Sequence, residues 1–284
     1  MSKLISKILF LFAASLVIYS CSKSDDTIVN PVTPADTSTN FKYPFALNSN
    51  WFFKTSQRFV FHPDSARNYI GGELDSSDGI GYSVWKNDTV YNGINARVLR
   101  GNYTSPAHAY NTAEFYVQTD TGLVIIGYVD DYGPGFGPYR PVNTRTKSNE
   151  NNLPVDYLRT ILMNDHNELS NVQANCIKYP IVQNSEWFFR NTGAIQTQRK
   201  KYFTYEQVQT QAGTYNCIKI QRKLYTGNPE ILDTNYIAYD YYSKVGMVKR
   251  SYAFKNNPVI YGGQTVGYYD TYTEIVLSSV NIMN

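Results

Sequence analysis

Lys42-Tyr43-Pro44-Phe45-Ala46-Leu47-Asn48-Ser49-Asn50-Trp51-Phe52-Phe53-Lys54 recurs as Lys178-Tyr179-Pro180-Ile181-Val182-Gln183-Asn184-Ser185-Glu186-Trp187-Phe188-Phe189-Arg190. Eight of the thirteen positions are identical at a fixed offset of 136 residues, the pattern of a structural unit used twice. The unit reads physically as the entry to a strand. Proline holds the approach extended, Asn-Ser favours a turn, and Trp-Phe-Phe opens the strand with a large anchor for the core.

Outward from this unit both halves continue as hairpins. Tyr91-Asn92-Gly93-Ile94-Asn95-Ala96-Arg97-Val98 corresponds to Gln211-Ala212-Gly213-Thr214-Tyr215-Asn216-Cys217-Ile218, each a turn into a strand. Phe115 to Val124 corresponds to Tyr239 to Val248, a strand, a glycine turn and a return strand. Ile218, Ile220 and Leu224 alternate with Cys217, Lys219, Gln221 and Lys223, and Thr271, Thr273, Ile275 and Leu277 alternate in the same way near the end. The expected fold is mainly β, with two similar antiparallel meander halves forming curved sheets. A short connecting helix is expected between them, where Leu153, Tyr157, Leu158, Ile161 and Leu162 follow helical spacing.

Composition agrees with this reading. The 284 residues are 42% hydrophobic and 15% aromatic, with 26 Tyr, which excludes disorder for the bulk of the chain and favours strands over helices. A net charge of +3 excludes the electrostatic footprint of a nucleic-acid binder.

Residues 1–20 read as an export signal. Lys3 and Lys7 precede an apolar run from Ile8 to Tyr19 that is too short to span a bilayer, which takes about 20 such residues. Ile18-Tyr19-Ser20-Cys21 resembles a bacterial lipobox, which implies that Cys21 is acylated and becomes the mature N-terminus. Residues 21–41 form a polar, Pro-containing tether, and Ser24-Asp25-Asp26 resembles the surface-export signal of Bacteroidota lipoproteins. The organisation is therefore a signal (1–20), a lipidated tether (21–41), a first half (42–150), a connector (151–177) and a second half (178–284). The expected location is the outer membrane or cell surface, on a lipid anchor.

Tyr-Pro…Asn-Ser-x-Trp, then Ala-Gly-Thr-Tyr-x-Cys-Ile-Lys-Ile, Val-Gly-Met-Val-Lys and a closing Glu-Ile-Val-Leu strand together resemble a family of Bacteroidota surface lipoproteins of uncharacterised role, most fully over residues 178–284. The resemblance implies a curved antiparallel sheet of the lipoprotein-carrier type. It carries no function with it.

Signals for chemistry are sparse. His62, His108 and His166 are isolated, and no metal-ligand spacing, nucleophile elbow, phosphate loop or dinucleotide fingerprint occurs, so no metal or cofactor is expected. Cys176 and Cys217 have two readings. They form a disulfide, closing a loop of about 40 residues and worth about 3–4 kcal/mol, or they remain two unpaired thiols; the bond requires their strands to be neighbours. Tyr132, Phe136 and Tyr139 lie in a segment rich in Gly and Pro and are expected ligand contacts, the alternative being rings folded back on the sheet. The function read from these signals is a lipid-anchored, non-catalytic binding or scaffold protein for a protein, a glycan or an apolar ligand. The alternative is an extracytoplasmic hydrolase with a spatially assembled site.

Overall fold

The structure is a computed structural model that describes residues 41–62, 72–75, 79–104, 109–130, 170–191, 196–261 and 263–283. These residues carry fourteen antiparallel strands and no helix. The first half contributes β1 (Asn50–His62), β2 (Gly72–Asp75), β3 (Gly79–Tyr91), β4 (Ile94–Thr104), β5 (Ala109–Gln118) and β6 (Gly122–Asp130). Then follow β7 (Ser170–Lys178), β8 (Glu186–Asn191), β9 (Gln196–Thr210), β10 (Gly213–Thr226), β11 (Ile231–Leu232), β12 (Tyr236–Ser243), β13 (Gly246–Tyr261) and β14 (Gln264–Asn281). The mainly β expectation is met. The expected helix at 153–163 lies outside the described residues, while residues 170–177, assigned to the connector from sequence, form strand β7 together with Lys178.

All strands belong to one sheet in the order β7-β6-β5-β4-β3-β1-β14-β13-β12-β10-β9-β8, with β2 paired to β1 and β11 to β10. The main path runs as two six-stranded meanders, β1-β3-β4-β5-β6-β7 and β8-β9-β10-β12-β13-β14, joined by the β1–β14 ladder. The sheet curls until β7 lies against β8, giving a nearly closed barrel. No ladder closes that seam among the described residues. Side chains of β8 and β9 bond to the backbone around β7 instead. The Trp187 indole donates to Asn175 O at 2.8 Å, Lys200 Nζ to Cys176 O at 2.9 Å, and the Tyr202 hydroxyl to Lys178 O at 2.5 Å while accepting from Lys178 N–H at 3.1 Å. These bonds satisfy backbone groups that a bare sheet edge would leave to water or to another chain.

The two segments enter β1 and β8 through the same Asn-Ser turn, although the Tyr179-Pro180 peptide is cis and Tyr43-Pro44 is not. Asn48 and Asn184 sit at φ 65° and 66°, left-handed values that Asn tolerates better than most residues. The backbone bonds match as well: Asn48 and Ser49 clasp Trp85, and Asn184 and Ser185 clasp Tyr202. The Asn92-Gly93 turn between β3 and β4 has positive φ at both residues, as the two-residue hairpin of this twist requires.

The end of the barrel holding these short turns is packed with aromatic rings. Tyr43 lies 5.7 Å from Trp51, 6.3 Å from Trp85 and 6.0 Å from Tyr242, and its N–H donates to the Tyr179 hydroxyl at 2.8 Å. Trp51 and Trp85 are fully buried. The Trp51 indole donates to Val245 O at 2.5 Å and crowds Gly246, where a Cβ would stand 2.9 Å from the indole nitrogen. Gly246 is thus fixed twice, by its φ of 95° and by this close approach.

Candidate functional site

Register decides what shares the barrel interior. One inward row runs Thr55, Ile275, Arg250, Asp240 and Ile220; the next runs Gln57, Thr273, Tyr252, Ala238, Arg222 and Lys200. Asp240 accepts from Arg222 Nε at 2.6 Å through one oxygen, which also lies 2.5 Å from Arg222 Nη2 as an ion pair, and from Arg250 Nε at 2.7 Å through the other, all three side chains being at most 2% exposed. Burial would raise the Asp240 carboxyl, but Arg222 and Arg250 outweigh it and hold the group at about 2. Lys200 is also fully buried, with its ammonium 4.0 Å from the Phe189 ring centroid. Burial first, and Arg222 next, lower it to about 7. Glu114 is buried as well and accepts from the Tyr116 hydroxyl at 2.5 Å. A charged layer and an aromatic layer thus occupy space that an apolar ligand would need.

The outer face of the same strands differs. Tyr239, Ser251, Glu274 and Ser56 form one cross-strand row, and Ile237, Ala253, Tyr272 and Arg58 the next. The small side chains on β13 and β1 leave a trough of about 780 Å³, walled by Tyr239 on β12 and Tyr272 on β14, with Lys255 also in its lining. Both walls are braced. The Tyr272 hydroxyl donates to Asp270 at 3.0 Å, and Tyr239 has Lys219 Nζ 4.5 Å and Phe203 6.2 Å from its ring centroid. Glu274 is paired with Lys249 at 2.6 Å and Arg58 with Glu73 at 2.5 Å.

Residues 149–265 match the model of the DUF3108-like family. That stretch includes β7 to β13 and the first residues of β14. Among curated proteins the chain finds no match. Among solved structures it is similar to a protein assigned as exported, with a YmcC-like fold, from Bacteroides fragilis, at 11% identity and a TM-score of 0.29. It is also similar to a protein assigned as a lipoprotein from Parabacteroides distasonis, at 13% identity and a TM-score of 0.32. Each likeness covers 85% of this chain and 99% of the other.

The residues singled out from sequence do not form this site. Cys21, Tyr132, Phe136, Tyr139, His108 and His166 lie outside the described residues. Cys176 and Cys217 are free, buried thiols, the second of the two readings. The reason is topological: Cys176 is on β7 and Cys217 on β10, strands that are not neighbours in the sheet. Burial pushes both thiols up to about 12. Native protein should therefore leave Ellman's reagent unreacted at both positions, and both should react in guanidinium; the same test on a disulfide would show no thiol in either state. His62 faces Asp270 at 3.1 Å, where the carboxylate also accepts from Asn256 N–H at 2.9 Å and so braces a bulge in β13.

The charged layer and the trough were both missed, yet the layer has a sequence signal. Arg222 falls in the Ile220/Leu224 phase, Asp240 in the Ala238/Tyr242 phase, and Arg250 in the Val248/Tyr252 phase. A charge on the apolar phase of an alternating strand is a buried charge that needs a partner.

Proposed function

We propose that this protein is a lipid-anchored, non-catalytic component of the cell envelope, at the outer membrane or cell surface, that binds its partner on the outside of its β-sheet. The observation carrying this is the contrast between the two faces. The inside is filled by aromatic rings and paired charges, which disfavours an apolar cargo, whereas the outer face of β1, β14, β13 and β12 carries a braced, tyrosine-walled trough. On this reading the two meanders are one unit used twice, and the charged layer serves the fold.

The anchor half of the proposal predicts that Cys21→Ala abolishes fatty-acid incorporation and moves the protein from the membrane to the soluble fraction. Wild-type protein recovered unacylated would refute it. The binding half predicts that a photoreactive phenylalanine analogue at Ser56, within the trough, forms adducts in intact cells. The same analogue at exposed Val90 on β3 should form none. Equal adduct yields at both positions would remove the trough as the site.

A further inference from the structure

We infer that the trough along β13 takes a neutral oligosaccharide; this rests on the outer-face binding reading above. Three features of the lining select that chemistry.

The first is ring spacing. Tyr239 and Tyr272 stand on the strands flanking β13, two strand spacings or about 10 Å apart across the sheet and one cross-strand row apart along it. Between them the floor is Ser251 and Ala253, with Ser56 beyond on β1. Two aromatic faces separated by a floor of small side chains accept a chain of saturated rings, whose C–H faces pack on aromatic surface. Because Asp270 holds one phenol and Lys219 packs against the other ring, little side-chain freedom is lost on binding.

The second is charge. Glu274 and Arg58 already have partners in Lys249 and Glu73. The hydroxyls of Ser56 and Ser251 can serve the hydroxyl groups of a ligand. A polyanion would meet Glu274, and a polycation would meet Arg58 and Lys255. The lining mixes both signs, Arg58 and Lys255 with Glu274, and a hydroxyl-rich ligand without charge is the one that meets neither as a like charge.

The third is the position of the trough on the face of the sheet. The backbone of β13 is engaged in ladders with β12 on one side and β14 on the other. A peptide laid in the trough would find no open edge on which to extend the sheet, so the main-chain mode of peptide recognition is absent there. A saccharide needs only side-chain partners.

The test uses the full-length, detergent-solubilised protein in calorimetric titrations with cellohexaose, maltohexaose, xylohexaose and mannohexaose. Polygalacturonate and an unstructured acidic peptide serve as charged comparisons. At least one neutral hexaose should bind with a Kd of about 1 mM or tighter. Ser56→Trp, which fills the trough from an exposed position, should weaken that binding at least about tenfold, as should Tyr239→Ala. Phe188→Ala, an exposed ring on β8 away from the trough, should leave it unchanged. Melting curves of all three variants establish that they are folded. The inference is overturned if no neutral hexaose binds at about ten times that concentration, if Ser56→Trp binds as the wild type does, or if the polyanion or the peptide binds the trough more tightly than every hexaose. Adduct formation at Ser56 in cells with no hexaose binding would leave the outer-face reading standing and remove the oligosaccharide.

Discussion

Asp240→Ala is expected to cost about 3–5 kcal/mol of stability, the range for removing one member of a buried ion pair. The carboxylate is the shared acceptor of Arg222 and Arg250 on the neighbouring strands β10 and β13, and its side chain is fully buried. Without it two guanidinium groups stay in the interior with their main counter-charge gone. Replacing all three residues by apolar ones of similar volume, Asp240→Leu with Arg222→Met and Arg250→Met, should recover most of the loss, because the dehydration cost of the charges disappears with them. If the triple variant is no more stable than Asp240→Ala, packing rather than charge explains the effect.

The same carboxylate sets a response to acid. Its folded value of about 2 lies below the ordinary 3.8, so folding favours the ionised form. The stability this contributes, about 2 kcal/mol, is fully present above about pH 4 and is lost as pH falls through about 2. Urea midpoints measured from pH 7 down to pH 2 should show a steeper loss below pH 4 for the wild type than for Asp240→Asn. Parallel curves would mean that other carboxylates dominate.

Trp51→Ala and Trp187→Ala are each expected to lower stability by about 3–5 kcal/mol, the range for truncating a buried Trp, but with different local signatures. Trp51 is fully buried in the aromatic cluster, and its loss also removes the donor to Val245 O at the turn beside Gly246. Its effect should be global. Trp187, 7% exposed, lies at the seam and donates to Asn175 O on β7. Because no ladder closes β7 to β8 among the described residues, this bond and those of Lys200 and Tyr202 hold that edge of β7, whose other edge is laddered to β6. Hydrogen exchange should therefore accelerate over Ser170–Lys178 in Trp187→Ala more than in a Trp51→Ala protein of equal global stability. Equal exchange over β7 in the two variants would mean that the seam does not depend on the indole.

Much of the β architecture was legible because its signals are local. Pro44 and Asn48-Ser49 set the entry to β1, and Pro180 and Asn184-Ser185 the entry to β8; Asn92-Gly93 sets a hairpin; Ile218, Ile220 and Leu224 mark an inward face. Each depends on the conformational preferences of a few adjacent residues or on the two-residue period of a strand, and these survive outside the fold. β7 was assigned to the connector because Ser170-Asn171-Val172-Gln173-Ala174-Asn175 has weak apolar alternation, and its pairing with β6 supplies what its own sequence does not.

The sequence by itself determined that the chain is built of strands, where several of its turns fall, and that Trp51 and Trp187 begin strands as core anchors. The tertiary structure decided which strands are neighbours and in what register. That alone brings Arg222, Asp240 and Arg250 together, separates Cys176 from Cys217, and sets Tyr239 and Tyr272 on either side of Ser251 and Ala253. The physical reason is that alternation along one strand assigns a side chain to a face, whereas its neighbours on that face come from strands distant in sequence. Pairing order and bulges, such as those at Lys219/Ile220 and Tyr241/Tyr242, fix those neighbours, and both follow from packing the whole sheet.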